Sequence, residues 1–444
     1  MPTAPLIACL LSSPPAVGDA QAPSERVEIA PVANADADAG TDDDSPAAAS
    51  SERADPNTSP DPAPAEPSSD DAKPKRGWQA ELFVDVAWGF NSNSPDNHVY
   101  RGMYTNPRTN ELAVNNVGAF IRHRARAGEP WIFELGFHAG AAVDALTSGE
   151  PIPGGDDGKF AGAEVFKHIA LGNVGVEVPK AKTVFAAGVF EGPMGIGSFW
   201  TRNNWNYTTT WESNLVPYYL AGAKIVQPLP SGFELSGWVV NGFQSYADLN
   251  SAPSGLVGLS WSRDPTPVSS PRSGTTAVTL ATHVYFGPEG TSLAAKDWLV
   301  YSDTWAIYDF DDHFSIAAVW DLGVDRAGRA NELQSLYTGG AVFARGTVFE
   351  SKHAKLDLAV RPEASLDRDG RFFGVDQWLI SGTGTASLSL YDHLMLRAEY
   401  RFDHSTATEG FFYQHELGSD DDPGLATDQH TVFLALTGWW DVWF

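Results

Sequence analysis

From Trp78 the chain alternates in polarity. Trp78, Ala80, Leu82, Val84, Val86, Trp88 and Phe90 share one parity, and Gln79, Glu81, Phe83, Asp85, Ala87 and Gly89 share the other. Successive side chains of a strand point to opposite faces, so this pattern predicts a strand with one apolar and one mostly polar face. At about 13 residues it is long for a soluble strand and suits a tilted strand that crosses a membrane with wet ends. The alternation returns at Trp131, Phe133, Leu135 and Phe137, and again from Phe314 to Val324. Leu356, Leu358, Val360, Ala364 and Leu366 alternate with Asp357, Arg361, Glu363 and Asp367; Leu394, Leu396, Ala398, Tyr400 and Phe402 alternate with Arg397, Glu399, Arg401 and Asp403. About sixteen strands are predicted: 78–90, 111–122, 130–142, 163–177, 182–190, 216–227, 232–243, 255–263, 275–286, 299–309, 313–325, 336–349, 354–367, 376–390, 393–403 and 430–444.

Alternation alone fits two architectures. In a soluble sandwich the polar parity faces water and the apolar parity meets a second sheet. In a membrane barrel the apolar parity faces lipid and the polar parity lines the lumen. Three features favour the closed antiparallel transmembrane β-barrel. Long links (91–110, 143–162, 191–215, 404–429) alternate with short ones (178–181, 228–231, 350–353, 391–392), although the link around 264–274 is longer than that rhythm asks. The strand ending Trp443-Phe444 has no polar tail, as expected of a last strand that pairs with the first and leaves no edge. Trp78, Trp88, Phe90, Trp131, Phe286, Trp298, Trp378, Tyr400 and Trp439 lie near predicted strand ends, where aromatic rings favour the headgroup level.

Composition narrows the choice. Charged residues are 19% of the 444 and glycines number 42, a mix that suits turns and apolar sheet faces better than long helices. No apolar run is long enough for a transmembrane helix, and a closed barrel is the other way to satisfy every backbone group in lipid. The net charge of −27 comes without a Lys/Arg stripe, which excludes nucleic acid as a partner. The acidity is compatible with a cation-favouring lumen and equally with a solvated acidic surface. The single cysteine, Cys9, excludes an intrachain disulfide and a cysteine-based metal site.

The first 76 residues read differently. Residues 1–22 have a short apolar core and a small-residue run but no basic start. A degraded or truncated export signal, a lipidated Cys9 and no signal at all remain open. Residues 23–76 are an acidic arm rich in Ala and Pro and free of aromatics, expected to be disordered. The barrel is expected over 77–444.

Several segments resemble the OmpL-like outer-membrane β-barrel porins (β-barrel porin type 2). They are Gly77 to Phe90, Asn110 to Asn116, Ala187 to Gly192 with Pro193 and Gly195, Leu336 to Gly340, Leu358 to Glu363, Asp367 to Gly370, and Leu396 to Asp403. The resemblance spans about residues 77 to 444 and implies an outer-membrane location and a passive diffusion channel for small hydrophilic solutes or ions. It names no solute. The terminal Phe444 matches the signal read by the barrel-insertion machinery, and outer-membrane lipid would surround the wall. A homo-oligomer, a trimer among the options, is an open expectation. Read from the residues alone, a barrel with an adhesin or enzyme role and a soluble all-β binding protein also stay open.

An even strand number puts both termini on the periplasmic side and the long loops outside. The third long loop, from Glu191 to Leu215, is expected to fold into the lumen. There Glu191, Arg202 and Glu212 would set a constriction while its tryptophans pack against the wall; the alternative is an external aromatic loop. Asp357, Arg361 and Glu363 are expected to line one lumen stripe, and Arg397, Glu399, Arg401 and Asp403 another. Cross-strand charge pairs that support the wall are the favoured role for these stripes over solute contact. On that reading Leu396→Arg disturbs the fold and Glu399→Ala is mild. No HExxH, CxxC, Walker loop or nucleophile elbow is present, and no cofactor or catalytic residue is assigned. Asp420-Asp-Asp422 and Asp367-Arg-Asp369 are read as solvated turns rather than calcium sites.

Overall fold

The computed structural model describes residues 77–147, 166–248, 252–263, 277–289, 298–325, 335–370, 372–415 and 424–444. The expected signal, the acidic arm and the Asp420 cluster lie outside the described residues. The strands are β1 (Trp78–Asn91), β2 (Glu111–His123), β3 (Trp131–Ala139), β4 (Ile169–Glu177), β5 (Val184–Glu191), β6 (Tyr219–Pro228), β7 (Phe233–Val240), β8 (Ser254–Arg263) and β9 (Ala277–Pro288). They continue as β10 (Trp298–Asp309), β11 (Phe314–Asp325), β12 (Ser335–Glu350), β13 (Ala354–Arg368), β14 (Gln377–Leu390), β15 (Leu394–Ser405), β16 (Phe412–Gln414), β17 (Gly424–Ala426) and β18 (Asp428–Trp443).

Sixteen of them, β1 to β15 and β18, form one closed ring in which each strand pairs with its chain neighbour, and β18 returns to β1. All the pairings are antiparallel. The seam runs from Gln79↔Trp443 to Asn91↔Thr431 and ends on reciprocal backbone bonds between Trp78 and Phe444 (3.2 and 3.0 Å). No edge is left, which is what permits a sheet to sit in hydrocarbon. The sixteen predicted strands match these in order, and β16–β17 is a small separate hairpin inside the last long loop.

The parity reading carries over to the wall. Leu82, Trp320, Val342, Val360 and Leu434 face outward and are exposed, while Asp85, Asp321, Phe343, Arg361 and Phe433 on the same strands are buried. An apolar belt of this extent is left uncovered by the chain itself and is suited to lipid rather than water. At the short-turn rim Trp78 packs edge-on against Trp131 (5.5 Å) and stacks on Phe444 (6.5 Å). Trp439 departs from expectation. It shares the inward parity of Phe433 and Thr437 and packs against the interior cluster of Phe83 and Phe120, while its neighbour Trp440 faces out.

Two local features send residues inward where alternation would not. Between Asp85 and Val86 the β1–β2 register slips: Asp85 faces Asn116 and Val86 faces Val114. Asn115 is the extra residue of a β-bulge, a device that re-aims side chains, and both Asn115 and Asn116 are buried. After β3, Gly140 (φ 134°) ends the strand, and a short helix, α1 (Ala141–Thr147), follows. Its Val143 and Leu146 pack with Leu171, Phe199 and Trp200 inside the barrel. The predicted strand 130–142 therefore stops at Ala139.

Leu396 stands outward between Leu388 and Leu436 on the neighbouring strands. Leu396→Arg should lower the stability of the barrel folded into lipid vesicles by about 2–4 kcal/mol, read from urea unfolding; an unchanged midpoint would place that parity in water.

Candidate functional site in the barrel lumen

The link between β5 and β6, residues 192–218, turns into the barrel. Its neck is closed by the Gly192 amide donating to Tyr218 O at 2.9 Å. A Cβ at Gly192 would lie 1.8 Å from Pro217 O, so only glycine lets the two chains approach this closely. Beyond the neck the loop makes single 3-10 turns at Thr201–Asn203 and Glu212–Asn214. Trp200 packs edge-on against Phe120 of β2 (4.9 Å), and Trp211 is fully buried against Phe373 and Phe411 (5.7 and 6.1 Å).

Charged side chains of β13 and β15 grip the backbone of this loop. Glu399 accepts from the Tyr207 and Thr208 amides (2.5 and 2.9 Å) and the Thr208 hydroxyl (2.6 Å), and from Thr385 on β14 (2.6 Å). Glu363 accepts from the Trp211 amide at 2.7 Å. In the opposite sense, Arg361 donates to Thr208 O and to Thr209 O (3.0 Å), and Arg401 also donates to Thr209 O (2.6 Å). Arg397 donates to Thr201 O (2.6 Å) and Asn204 O (2.7 Å). Arg401 completes the set with ion pairs to Glu363 (3.0 Å) and Asp403 (2.7 Å). All six of these side chains are buried. Charge-assisted bonds of this kind are stronger than neutral ones, and their number explains how a long loop stays inside the barrel.

Side chains of β1 and β2 fix the far side. Arg202 pairs with Glu81, which Arg122 also holds at 2.8 Å. The Tyr207 hydroxyl donates to Asp85 (3.0 Å) and accepts from the bulge residue Asn115 (2.7 Å). Glu212 belongs to the loop and not to a spanning strand. Burial, reinforced by the nearby Glu363 carboxylate, pushes its carboxyl up to about 8.

A cavity of about 510 Å³ remains beside the loop. Its wall comes from residues near the short-turn ends of the strands, including Ile307, Arg345, Asp357 and Met395, and from the loop residues 196–198, 202–206, 208–210 and 213. On the long-loop side aromatic rings pack together instead, with Trp211, Phe372, Phe373, Phe411 and Phe412 in one cluster. Tyr100 joins them through its hydroxyl bond to Asp403 (2.6 Å).

The residues singled out from sequence separate into groups. Arg202, Asp357, Arg361 and Arg397 reach the 510 Å³ cavity. Glu363, Glu399, Arg401 and Asp403 lie behind, buried against the loop and one another. Glu191, Arg202 and Glu212 do not converge. Glu191 is exposed toward a smaller cavity of about 230 Å³ that it shares with Lys224, Glu234 and His283. Arg202 sits on Glu81, and Glu212 is buried near Glu363. Glu399 is the acceptor for two loop amides, so Glu399→Ala is now expected to be costly rather than mild. Sequence reading missed Glu81, Asp85, Asn115 and Arg345. The outward pair Val114 and Val117, three apart in a strand of period two, was the available sign that the Asn115-Asn116 doublet bulges.

The sequence profile of the family described as "Putative beta-barrel porin-2, OmpL-like" matches residues 78–437. The chain belongs to this family. It is a porin channel of the bacterial outer membrane. No match was found among the curated proteins. Among solved structures the porin is similar to the anion-selective porin from Comamonas acidovorans (9% identity, 82% of this chain and 100% of that chain, TM-score 0.49). It is also similar to the outer-membrane channel DcaP of Acinetobacter baumannii (10%, 82% and 98%, TM-score 0.46) and to OmpT of Vibrio cholerae (11%, 82% and 97%, TM-score 0.46).

Glu399→Ala should leave the Tyr207 and Thr208 amides without their acceptor, at about 1–3 kcal/mol. The detergent-solubilised variant should be cut by trypsin after Arg202 faster than the parent protein; equal protection would mean that Glu399 does not hold the loop. The folded Glu212 carboxyl lies above its ordinary value of 4.5, so the stability it contributes falls as pH rises from 4.5 through about 8. Protection of the Arg202 bond should drop over that range in a protease titration with pH-matched controls. Glu212→Gln should flatten the drop; a persistent drop would assign it to another group.

Proposed function

We propose that the chain is a passive diffusion pore for small hydrophilic solutes or ions, its bore set by the in-folded loop 192–218. The observation that carries this reading is the strap of Arg361, Glu363, Arg397, Glu399 and Arg401 on that loop's backbone, inside a closed ring of sixteen strands. The residues predicted to line or narrow the pore take unequal parts. Arg202, Asp357, Arg361 and Arg397 meet the solute path, and Glu363, Glu399, Arg401 and Asp403 hold the constriction in place. Glu191 belongs to a side recess, and Glu212 acts through the loop.

The rim that carries the turns at 310–313, 351–353 and 391–393, together with both ends of the barrel, faces the periplasm, and the long links face outward. The short turns on that rim support this orientation, since outer-membrane barrels carry short turns on the periplasmic side and longer loops outside. The strand ending at Phe444 is the segment offered to the insertion machinery, and outer-membrane lipid covers the apolar belt. Assembly as a homo-oligomer is consistent with the trimer form named for one Vibrio cholerae OmpT structure. The reading includes no catalytic step: Glu363 and Glu399 are committed to the loop amides, and Asp357 to Thr347 and Lys355.

Deleting residues 194–211 should raise single-channel conductance several-fold in planar bilayers, because the loop occupies the cross-section. No rise would sink the constriction.

A further inference from the structure

The two sides of the lumen differ in how their charges are matched. Arg202, Arg361 and Arg397, which reach the cavity of about 510 Å³, are set against acids. Arg202 pairs with Glu81, Arg361 with Glu363 (3.3 Å), and Arg397 lies close to Asp85, Glu399 and Asp357. That side is balanced.

The side formed by β5 to β11 is not. Among the described residues of these strands, Lys224 is the one lysine or arginine on the inward face, while acids stand on β5, β7, β10 and β11. Glu191, Lys224 and Glu234 line the recess of about 230 Å³ together. The Lys224 ammonium lies over the rings of Phe190 (4.3 Å) and Trp238 (4.7 Å). Glu191 and Glu234 are exposed, and among the described residues neither forms an ion pair. The small side chains of Ser236, Gly258 and Ser260 complete this stretch of wall, with Ser236 opposite Gly258 and Glu234 opposite Ser260. The two glutamates therefore border open space rather than a bulky neighbour.

The wall next to the recess adds to the imbalance. Asp303 stands directly opposite Asp321, and both are fully buried. His283, which also lines the recess, meets Asp303 at 3.1 Å, and the Tyr301 hydroxyl donates to Asp321 at 2.9 Å. Among the described residues no lysine or arginine pairs with either, and the Oδ1 of each has no donor. Buried carboxylates held without a cationic partner leave an unmet demand for positive charge beside the recess.

A passage lined by one sign of charge between low-dielectric walls concentrates ions of the other sign. We propose that the pore is selective for small cations, drawn in by Glu234 and Glu191, with Lys224 as the charge that limits the preference. The proposal rests on the pore reading and adds a solute class to it. The sign of the passage then agrees with the net charge of the chain, −27.

The test measures the zero-current potential of the full-length protein in planar bilayers under an about tenfold potassium chloride gradient. Potassium should pass several-fold more readily than chloride. The preference should shrink as the salt is raised to about 1 M, where charges are screened within ~3 Å. Glu234→Gln should lower the permeability ratio by roughly half, and Lys224→Gln should raise it roughly twofold. Arg345→Gln, in the other cavity, should move it less than Lys224→Gln does. Heat-modifiable migration on gels verifies that each variant has folded. A preference for chloride, a ratio unchanged in both Glu234→Gln and Lys224→Gln, or a larger effect of Arg345→Gln would each overturn the proposal and leave the pore standing. Absence of conductance in every salt would take both down.

Discussion

An ion inside a protein costs several kcal/mol unless its donors or acceptors are met, and the interior of this barrel is organised around that constraint. Arg361, Glu363, Glu399 and Arg401 stand on adjacent inward positions of β13 and β15 and are nearly without solvent. The wall alone cannot satisfy them. The backbone of residues 207–211 can, because a chain crossing the lumen offers amides to the carboxylates and carbonyls to the guanidiniums. Remove the loop and the charges lose their partners; neutralise the charges and the loop loses its seat. Wall and loop are therefore coupled, since each supplies partners that the other's polar groups use.

That unit divides the lumen into two chemically distinct parts. Toward the long loops, Trp211 carries an aromatic cluster with Phe373, Phe411 and Phe412, and Arg101 lies over the Phe411 ring at 4.6 Å. Toward the short turns, the same loop exposes Asn203, Asn204 and Trp205 to the cavity that Arg345 and Arg397 share. The boundary between the parts follows from where the strands place their charges. Arg397 and Asp357 lie closer to the turns than Arg401 and Glu363 do, so the turn-side pair borders the cavity.

The wall was legible in the sequence because it obeys a period of two, and the lipid face leaves that period unbroken over most strands. The outward set from Leu356 to Leu366, the inward set from Arg397 to Asp403 and the seam at Phe444 all follow from parity. What parity could not supply were contacts made by backbone atoms. The amides of Tyr207 and Trp211 have no signature in a string of side chains, so the partners of Glu399 and Glu363 could not be named and Glu399 looked dispensable. Helix α1 was hidden for another reason: at Ala141–Thr147 it is too short for a helical period to show. Trp439 was misplaced because its nearness to a strand end was weighed above its parity, which it shares with the inward Phe433 and Thr437.

The grip on loop 192–218 falls largely on main-chain atoms: the amides of 207, 208 and 211 and the carbonyls of 201, 204, 208 and 209. Such anchors are indifferent to which amino acid occupies each place. Residues such as Asn203 and Trp205, whose side chains face the cavity, can be exchanged in evolution or by design without loosening the mooring. The barrel thereby becomes a fixed socket for an exchangeable filter, able to acquire new permeants by drift at a handful of codons.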